Sequence, residues 1–306
     1  MLHKLTEPGL KLGLGLLSIG RAWGVTQSAP PDENEAQTLL AKAVELGISI
    51  FDTAPAYAES EARLGRFLST LEPSVRHGLT IMTKAGEHWD FERNSSFVDH
   101  SRDALVRSID RSLSLLGTID VLQIHKATSD VVTHPDVIAA MDYARRCGVT
   151  VFGASVSDVE AGRLALESGL YDALQFPLNM SSTNMAPLLP KLEASGRTAI
   201  VNRPFAMGSL LAGQPFEEAA AAAFRYIEER LPRAVILSGT GKVAHLAQNV
   251  SAFRNRSAKA RHLVLLRGLK SLAHKAREPS SPLWGGVGGG GVGAEPKPGW
   301  RLHPHP

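Results

Sequence analysis

Eight short apolar runs recur along the chain, at 12–19, 48–53, 79–83, 119–125, 149–156, 173–176, 199–202 and 234–238. Several are continuous rather than alternating, as in ISIF, DVLQI and VTVFGASV, the pattern of parallel strands buried on both faces. Between them lie segments of helical periodicity with recognisable ends. Acids crowd the first turn of ENEAQTLLAKAVELG, and Gly47 stands past its last turn. Ser60 is expected as the N-cap of EARLGRFLS, and Asp158 as the cap of VEAGRLALESG. Ser101 opens a helix with apolar residues at 104, 105, 109, 113 and 116 that stops at Gly117. The alanine-rich stretch 216–230 reads as another helix. Eight β/α units predict a single-domain α/β protein, a closed (β/α)8 TIM barrel; an open doubly wound sheet is the alternative.

The pattern stops near the end. Residues 278–306 are dominated by Gly, Pro and Ser, lack periodicity and cannot bury enough apolar surface to offset their ordering entropy. The expected division is therefore a barrel over 1–277 and a disordered Gly/Pro-rich tail over 278–306. The net charge is only +3, yet no acidic residue occurs between Arg230 and Arg277. The bases of 254–277 are read as the outward face of a solvated helix. Without interleaved aromatics they do not suggest a nucleic-acid partner.

With 43% apolar and 21% charged residues the composition is that of a water-soluble globular protein. No apolar run approaches the roughly 20 residues needed to span a bilayer, and no signal peptide is evident. The one cysteine, Cys147, excludes an internal disulfide framework and fits a reducing, cytoplasmic setting; it is expected as a buried thiol at a helix end.

Four polar residues stand where apolar runs end: Asp52 and Tyr57 in FDTAPAYAESEARLG, Lys84 closing LTIMTK, and His125 closing IDVLQIH. Strand ends of alternating β/α chains are where such folds place their chemistry. A phenol titrates near 10 and gives up its proton reluctantly, whereas an adjacent ammonium stabilises the phenolate and draws that value down. A carboxylate keeps the ammonium charged and aimed, and a neutral imidazole can hydrogen-bond a substrate oxygen. Together they would protonate an oxygen gaining negative charge, as carbonyl reduction requires. No side chain supplies hydride, so a nicotinamide cofactor is implied. Gly13-Leu-Gly15 lacks the third glycine of a dinucleotide fingerprint, so the cofactor is not expected in that manner.

These segments resemble the aldo/keto reductase family. Asp52, Thr53, Ala54 and Tyr57 meet its D-T-A-x-x-Y pattern; Ser60, Glu61, Leu64 and Gly65 meet S-E-x-x-L-G. The T-K pair at the third strand end and D-V-L-Q-I-H at the fourth follow in family order, within a likeness running from about Leu12 to Phe253. The resemblance implies that Tyr57 is the proton donor, Lys84 lowers its pKa, Asp52 pairs with Lys84, and His125 orients the carbonyl.

The resemblance further implies that Ser155 and Gln175 hold the nicotinamide amide, although Val156 replaces the Asn of the usual G-V-S-N. Gly239, Thr240 and His245 stand where many members grip the 2′-phosphate of NADP, and Asn249 matches the adenine contact. Arg203 or Asn202 stands where relatives place a stacking aromatic. NADP(H) is the expected cofactor, NAD(H) the second choice, with no metal. The segment 207–216 is short for a loop that closes over a pyrophosphate.

Trp23 and Trp89 are candidate substrate contacts, with His88, Phe91 and Lys126 nearby, suiting a small aldehyde, a ketone or an aldose. The alternative to an enzyme is a nucleotide-binding regulatory or weakly active barrel of the same family.

Overall fold

The computed structural model describes residues 5, 7–22 and 28–256. The expected tail, the boundary at 277, most of the basic segment and Trp23 lie outside the described residues. Eight parallel strands close into a barrel in the order β1-β10-β9-β8-β7-β6-β3-β2. They are β1 (Lys11–Gly15), β2 (Ile50–Asp52), β3 (Thr80–Ala85), β6 (Val121–Ile124), β7 (Val151–Ser155), β8 (Ala173–Pro177), β9 (Thr198–Asn202) and β10 (Val235–Gly239). Two further strands, β4 (Glu87–Asp90) and β5 (Ser95–Val98), pair antiparallel as a hairpin after β3. The TIM-barrel expectation holds, and the open sheet is excluded by the β1–β10 pairing, which runs in register from Lys11↔Val235 to Gly15↔Gly239.

Burial follows from that closure. Ile50, Met82, Val121, Val151, Ala173, Ile200, Val235 and Leu237 fill the interior with Leu5. The alternate residues of the same strands face outward and pack under the surrounding helices. Both faces are apolar, which is why the runs read as continuous.

The local expectations fared unevenly. Asp32 caps the helix Glu33–Glu45 with a reciprocal capping box, accepting from Glu35 N at 2.8 Å while Asp32 N donates to the Glu35 carboxylate at 2.9 Å. Asp158 caps the helix Val159–Ser168, accepting from Ala161 N. The first run does not remain extended to Ile19: β1 ends at Gly15, and Leu17–Gly20 forms a helical turn. Leu16 and Ile19 are buried either way, so hydrophobicity alone could not separate the two.

Ser60 is not an N-cap. It is the first residue of the helix Ser60–Ser69, fully buried, with Oγ 2.8 Å from Thr53 Oγ and donating to Leu16 O at 3.0 Å. Cys147 is exposed rather than buried, because it caps the helix Pro135–Arg146 on the side that faces solvent. The alanine-rich helix runs Phe216–Glu228. Of the basic segment, Arg254 and Arg256 are described, and both are engaged. Arg254 donates to Leu46 O at 2.8 Å, and Arg256 pairs with Glu228 at 2.8 Å.

Candidate active site

The carboxyl ends of the barrel strands open into a cavity of about 810 Å³, within the range of small-molecule sites. Its lining includes Asp52, Tyr57 and His125 from one side and Ser155, Gln175, Gly239 and Asn249 from the other. Asp52 ends β2, Lys84 lies near the end of β3, and His125 follows β6 directly. Tyr57 closes the short 3-10 turn Pro55–Tyr57.

Lys84 is the centre of the cluster. Its side chain is 0% exposed, and Nζ donates to Asp52 Oδ2 at 2.6 Å and to Thr53 O at 2.9 Å. The ammonium lies 5.0 Å from the centre of the Tyr57 ring. Asp52 Oδ1 accepts from Gln123 Nε2 at 2.9 Å and Gln175 Nε2 at 3.2 Å. Both carboxylate oxygens are thereby satisfied, as a buried charge requires.

The Lys84 pKa is raised, even though burial of the ammonium opposes that; Asp52 and Tyr57 outweigh burial. The Tyr57 phenol pKa is raised overall by burial, although the expected lowering by Lys84 is present. Burial pushes it up, Lys84 counters by charge and hydrogen bonding, and Asp52 pushes it up again; burial prevails. The ring itself is half-buried, its open part facing the cavity. His125 sits edge-to-face with Tyr57, ring centres 5.9 Å apart. Its pKa is held well below the usual histidine value by burial and then by Lys84, Lys126, Arg21 and His100, so the imidazole is neutral at neutral pH.

The residues of the S-E-x-x-L-G motif support this cluster without entering it. Buried Glu61 accepts from Thr83 Oγ1 at 2.6 Å and Ser112 Oγ at 2.7 Å. A Cβ on Gly65 would lie 2.0 Å from Leu115 O, so only glycine allows the two helices to approach. Gly20 has the same role beneath the tyrosine turn, where a Cβ would meet Tyr57 O at 1.8 Å.

Across the cavity, Asn249 is 3% exposed and its Oδ1 lacks a partner; Asn202 Oδ1 is likewise buried and unpartnered. Orphaned acceptors facing a cavity suit a ligand that donates to them. The helix Val243–Asn255 has no side-chain cap, so its first N–H groups are available to an anion beside Gly239, Thr240 and Lys242. His245 is exposed and stacks against Phe216 at 6.4 Å. Arg203, also exposed, adopts φ 53° and borders the cavity. Ser155 ends β7 in register with Gln175. The short segment expected to leave a clamp wanting still borders the cavity through Met207, Leu211 and Phe216.

The substrate expectations need correction. Trp89 is not in the cavity lining; it stands in the hairpin behind Arg21, whose guanidinium lies 4.8 Å from its ring centre. His88 stacks on Phe97, and Phe91 is 51% exposed on the outer side. The segment after β3 forms a hairpin whose alternation turns His88 to the face opposite Glu87, while Trp89 shares the face of Glu87 but stands behind Arg21. Lys126 does border it, with φ 51°.

Two residues of this centre were missed in sequence. Gln123 was legible as a lone polar residue inside an apolar strand. Glu87 had no comparable mark, because nothing local distinguishes it from the other acids.

Comparison with known proteins agrees with the geometry. The model of the Aldo/keto reductase family matches residues 11–220. The chain is 24% identical over 211 residues to an uncharacterised oxidoreductase of Bacillus subtilis, YqkF, covering 68% of this chain and 65% of that protein. It is 28% identical over 233 residues to L-galactose dehydrogenase of Arabidopsis thaliana, covering 71% and 69%. The crystal structure of PA4992 from Pseudomonas aeruginosa, described as an aldo-keto reductase, superposes with a TM-score of 0.67 at 29% identity, covering 80% of this chain and 89% of that one. The barrel, the strand-end cluster and these matches place the chain in the aldo/keto reductase family, while it spans just under two thirds of the length of YqkF.

Proposed function

We propose that this protein transfers hydride between a nicotinamide cofactor and a small aldehyde, ketone or aldose, with Tyr57 as the group that exchanges the proton. The observation that carries this reading is the buried ammonium of Lys84, held by Asp52 at 2.6 Å beneath the Tyr57 ring. When bound, the nicotinamide supplies or accepts the hydride. The chain's own residues do the rest. Tyr57 keeps its proton at neutral pH and holds it toward the cavity. Lys84 stabilises the phenolate as the proton leaves, and Asp52 keeps Lys84 charged and in place.

Ser155, Asn202 and Gln175 would face the nicotinamide. The uncapped helix after Thr240, with Lys242 and His245, would meet phosphate, and the free Asn249 Oδ1 would take an adenine amine. The bases Lys242 and His245 at that helix start favour NADP over NAD. The name of one relative, L-galactose dehydrogenase, supports the sugar among the candidate substrates. No described helix is long and apolar enough to cross a membrane, and a cytoplasmic setting is proposed on the single cysteine.

Steady-state kinetics of Tyr57→Phe test the assignment. A collapse of kcat by roughly a hundredfold or more, with NADPH titration by fluorescence unchanged, is expected from loss of the acid. Turnover like that of the parent would remove the assignment. Binding of NADPH by the parent without turnover on any aldehyde or sugar would favour a regulatory barrel instead.

A further inference from the structure

The hairpin β4–β5 holds His125 at two points. His100, just after the hairpin, lies with Nε2 2.7 Å from His125 O, and Asp99 N donates to Gly86 O at 3.0 Å to fix the hairpin base. Gly86 adopts φ 113°, and a Cβ there would lie 2.4 Å from the His100 ring, so the base admits no larger residue. Glu87 then turns inward. Its Oε2 stands 3.2 Å from His125 Nδ1, both side chains being less than 10% exposed. Its other oxygen accepts from Ser96 Oγ at 2.9 Å. The Nδ1–Glu87 approach has hydrogen-bond distance but not alignment. Catalytic contacts often lie off-axis until the ligand is present.

A carboxylate oxygen without a proton only accepts, so a hydrogen bond between Glu87 and the ring requires the proton on Nδ1. A neutral imidazole has only one such proton. We propose that Glu87 fixes His125 with its proton on Nδ1, leaving Nε2 as an acceptor toward the cavity, and thereby selects substrates that bear a hydroxyl beside the reacting carbon. This deepens the reading above and rests on it for the reaction, though not for the tautomer. Burial, and then Lys84, Lys126, Arg21 and His100, disfavour a second proton on the ring, and together they outweigh the opposite pull of the Glu87 carboxylate. Tyr57 is then the donor to the carbonyl oxygen. Nε2 cannot donate to that same oxygen; it can accept from a neighbouring O–H, as in a hydroxyaldehyde or an aldose. A simple aldehyde leaves Nε2 without a partner, and a site built to bond a hydroxyl discriminates against the analogue lacking it.

The primary test reads the ring directly. In full-length protein with 15N-labelled histidine, assigned through His125→Gln, the parent should show protonated Nδ1 and bare Nε2 at neutral pH. A proton on Nε2 instead would overturn the proposal, whatever the activity. The isosteric Glu87→Gln replaces the acceptor by an amide that can donate to Nδ1, so the proton should move to Nε2; an unchanged tautomer would also overturn it. Kinetically, the parent should prefer glyceraldehyde to propanal in kcat/KM, and Glu87→Gln should cut that preference by roughly tenfold, chiefly through KM for glyceraldehyde. Equal loss on both aldehydes would mark Glu87 as merely structural and end the specificity claim. Absence of turnover on either aldehyde, with the tautomer as stated, would sink the proposed reaction and leave the tautomer assignment standing. If Glu87→Gln does not fold, the spectrum of the parent still decides.

Discussion

Lys84 and Asp52 form an ion pair of 2.6 Å whose side chains are 0% and 4% exposed. They are 32 positions apart in sequence, with two helices and the tyrosine turn between them, yet they lie on adjacent strands of the barrel. Neither charge could be buried without the other. The pair therefore serves both the fold and the chemistry above it.

Asp52→Asn should cost about 3–5 kcal/mol, because it leaves the Lys84 ammonium sealed without its counter-charge. Urea unfolding of the purified variant measures this. A loss below about 1 kcal/mol would mean that the lysine relaxes to water and that the pair is not truly enclosed.

Stability should fall on mild acidification. His125 has a folded pKa well below its ordinary 6.5. Below that ordinary value the unfolded chain takes up a proton that the folded ring refuses, so unfolding becomes easier as pH falls until the folded value is passed. The slope is at most about 1.4 kcal/mol per pH unit from this residue. His125→Gln should remove that share of the dependence, seen by comparing urea midpoints of the two proteins between neutral and mildly acid pH.

Gly65→Ala tests the role assigned to the S-E-x-x-L-G glycine. Its new methyl would lie 2.0 Å from Leu115 O, which is backbone and cannot turn aside. Overpacking of this kind costs about 1–3 kcal/mol. Thermal unfolding should register the loss, while residual kcat at a temperature where the variant is folded stays near that of the parent.

Asn249→Leu should separate binding from folding. Its Oδ1 is buried without a partner, so an apolar side chain of similar size should leave stability unchanged or slightly raised. Dinucleotide affinity should weaken by roughly tenfold, as expected for the loss of one buried hydrogen bond. Urea unfolding and NADPH fluorescence titration together check the two directions. A destabilised variant with unaltered affinity would assign Asn249 to the core.

What the linear chain determined was the β/α alternation and the carboxyl-end placement of Asp52, Tyr57, Lys84 and His125. Strands buried on both faces leave continuous apolar runs, and a charged residue at the end of such a run is conspicuous locally. The Asp158 cap was equally legible, since a cap acts within four residues. Tertiary structure alone decided the extent of β1, the inward burial of Ser60, and the β4–β5 hairpin that removed Trp89 and Phe91 from the cavity. It also brought Glu87 to His125 and made burial outweigh Lys84 at the Tyr57 phenol. Each of these depends on which groups from distant strands share a space and how much water is left there, and no local pattern of residues encodes that.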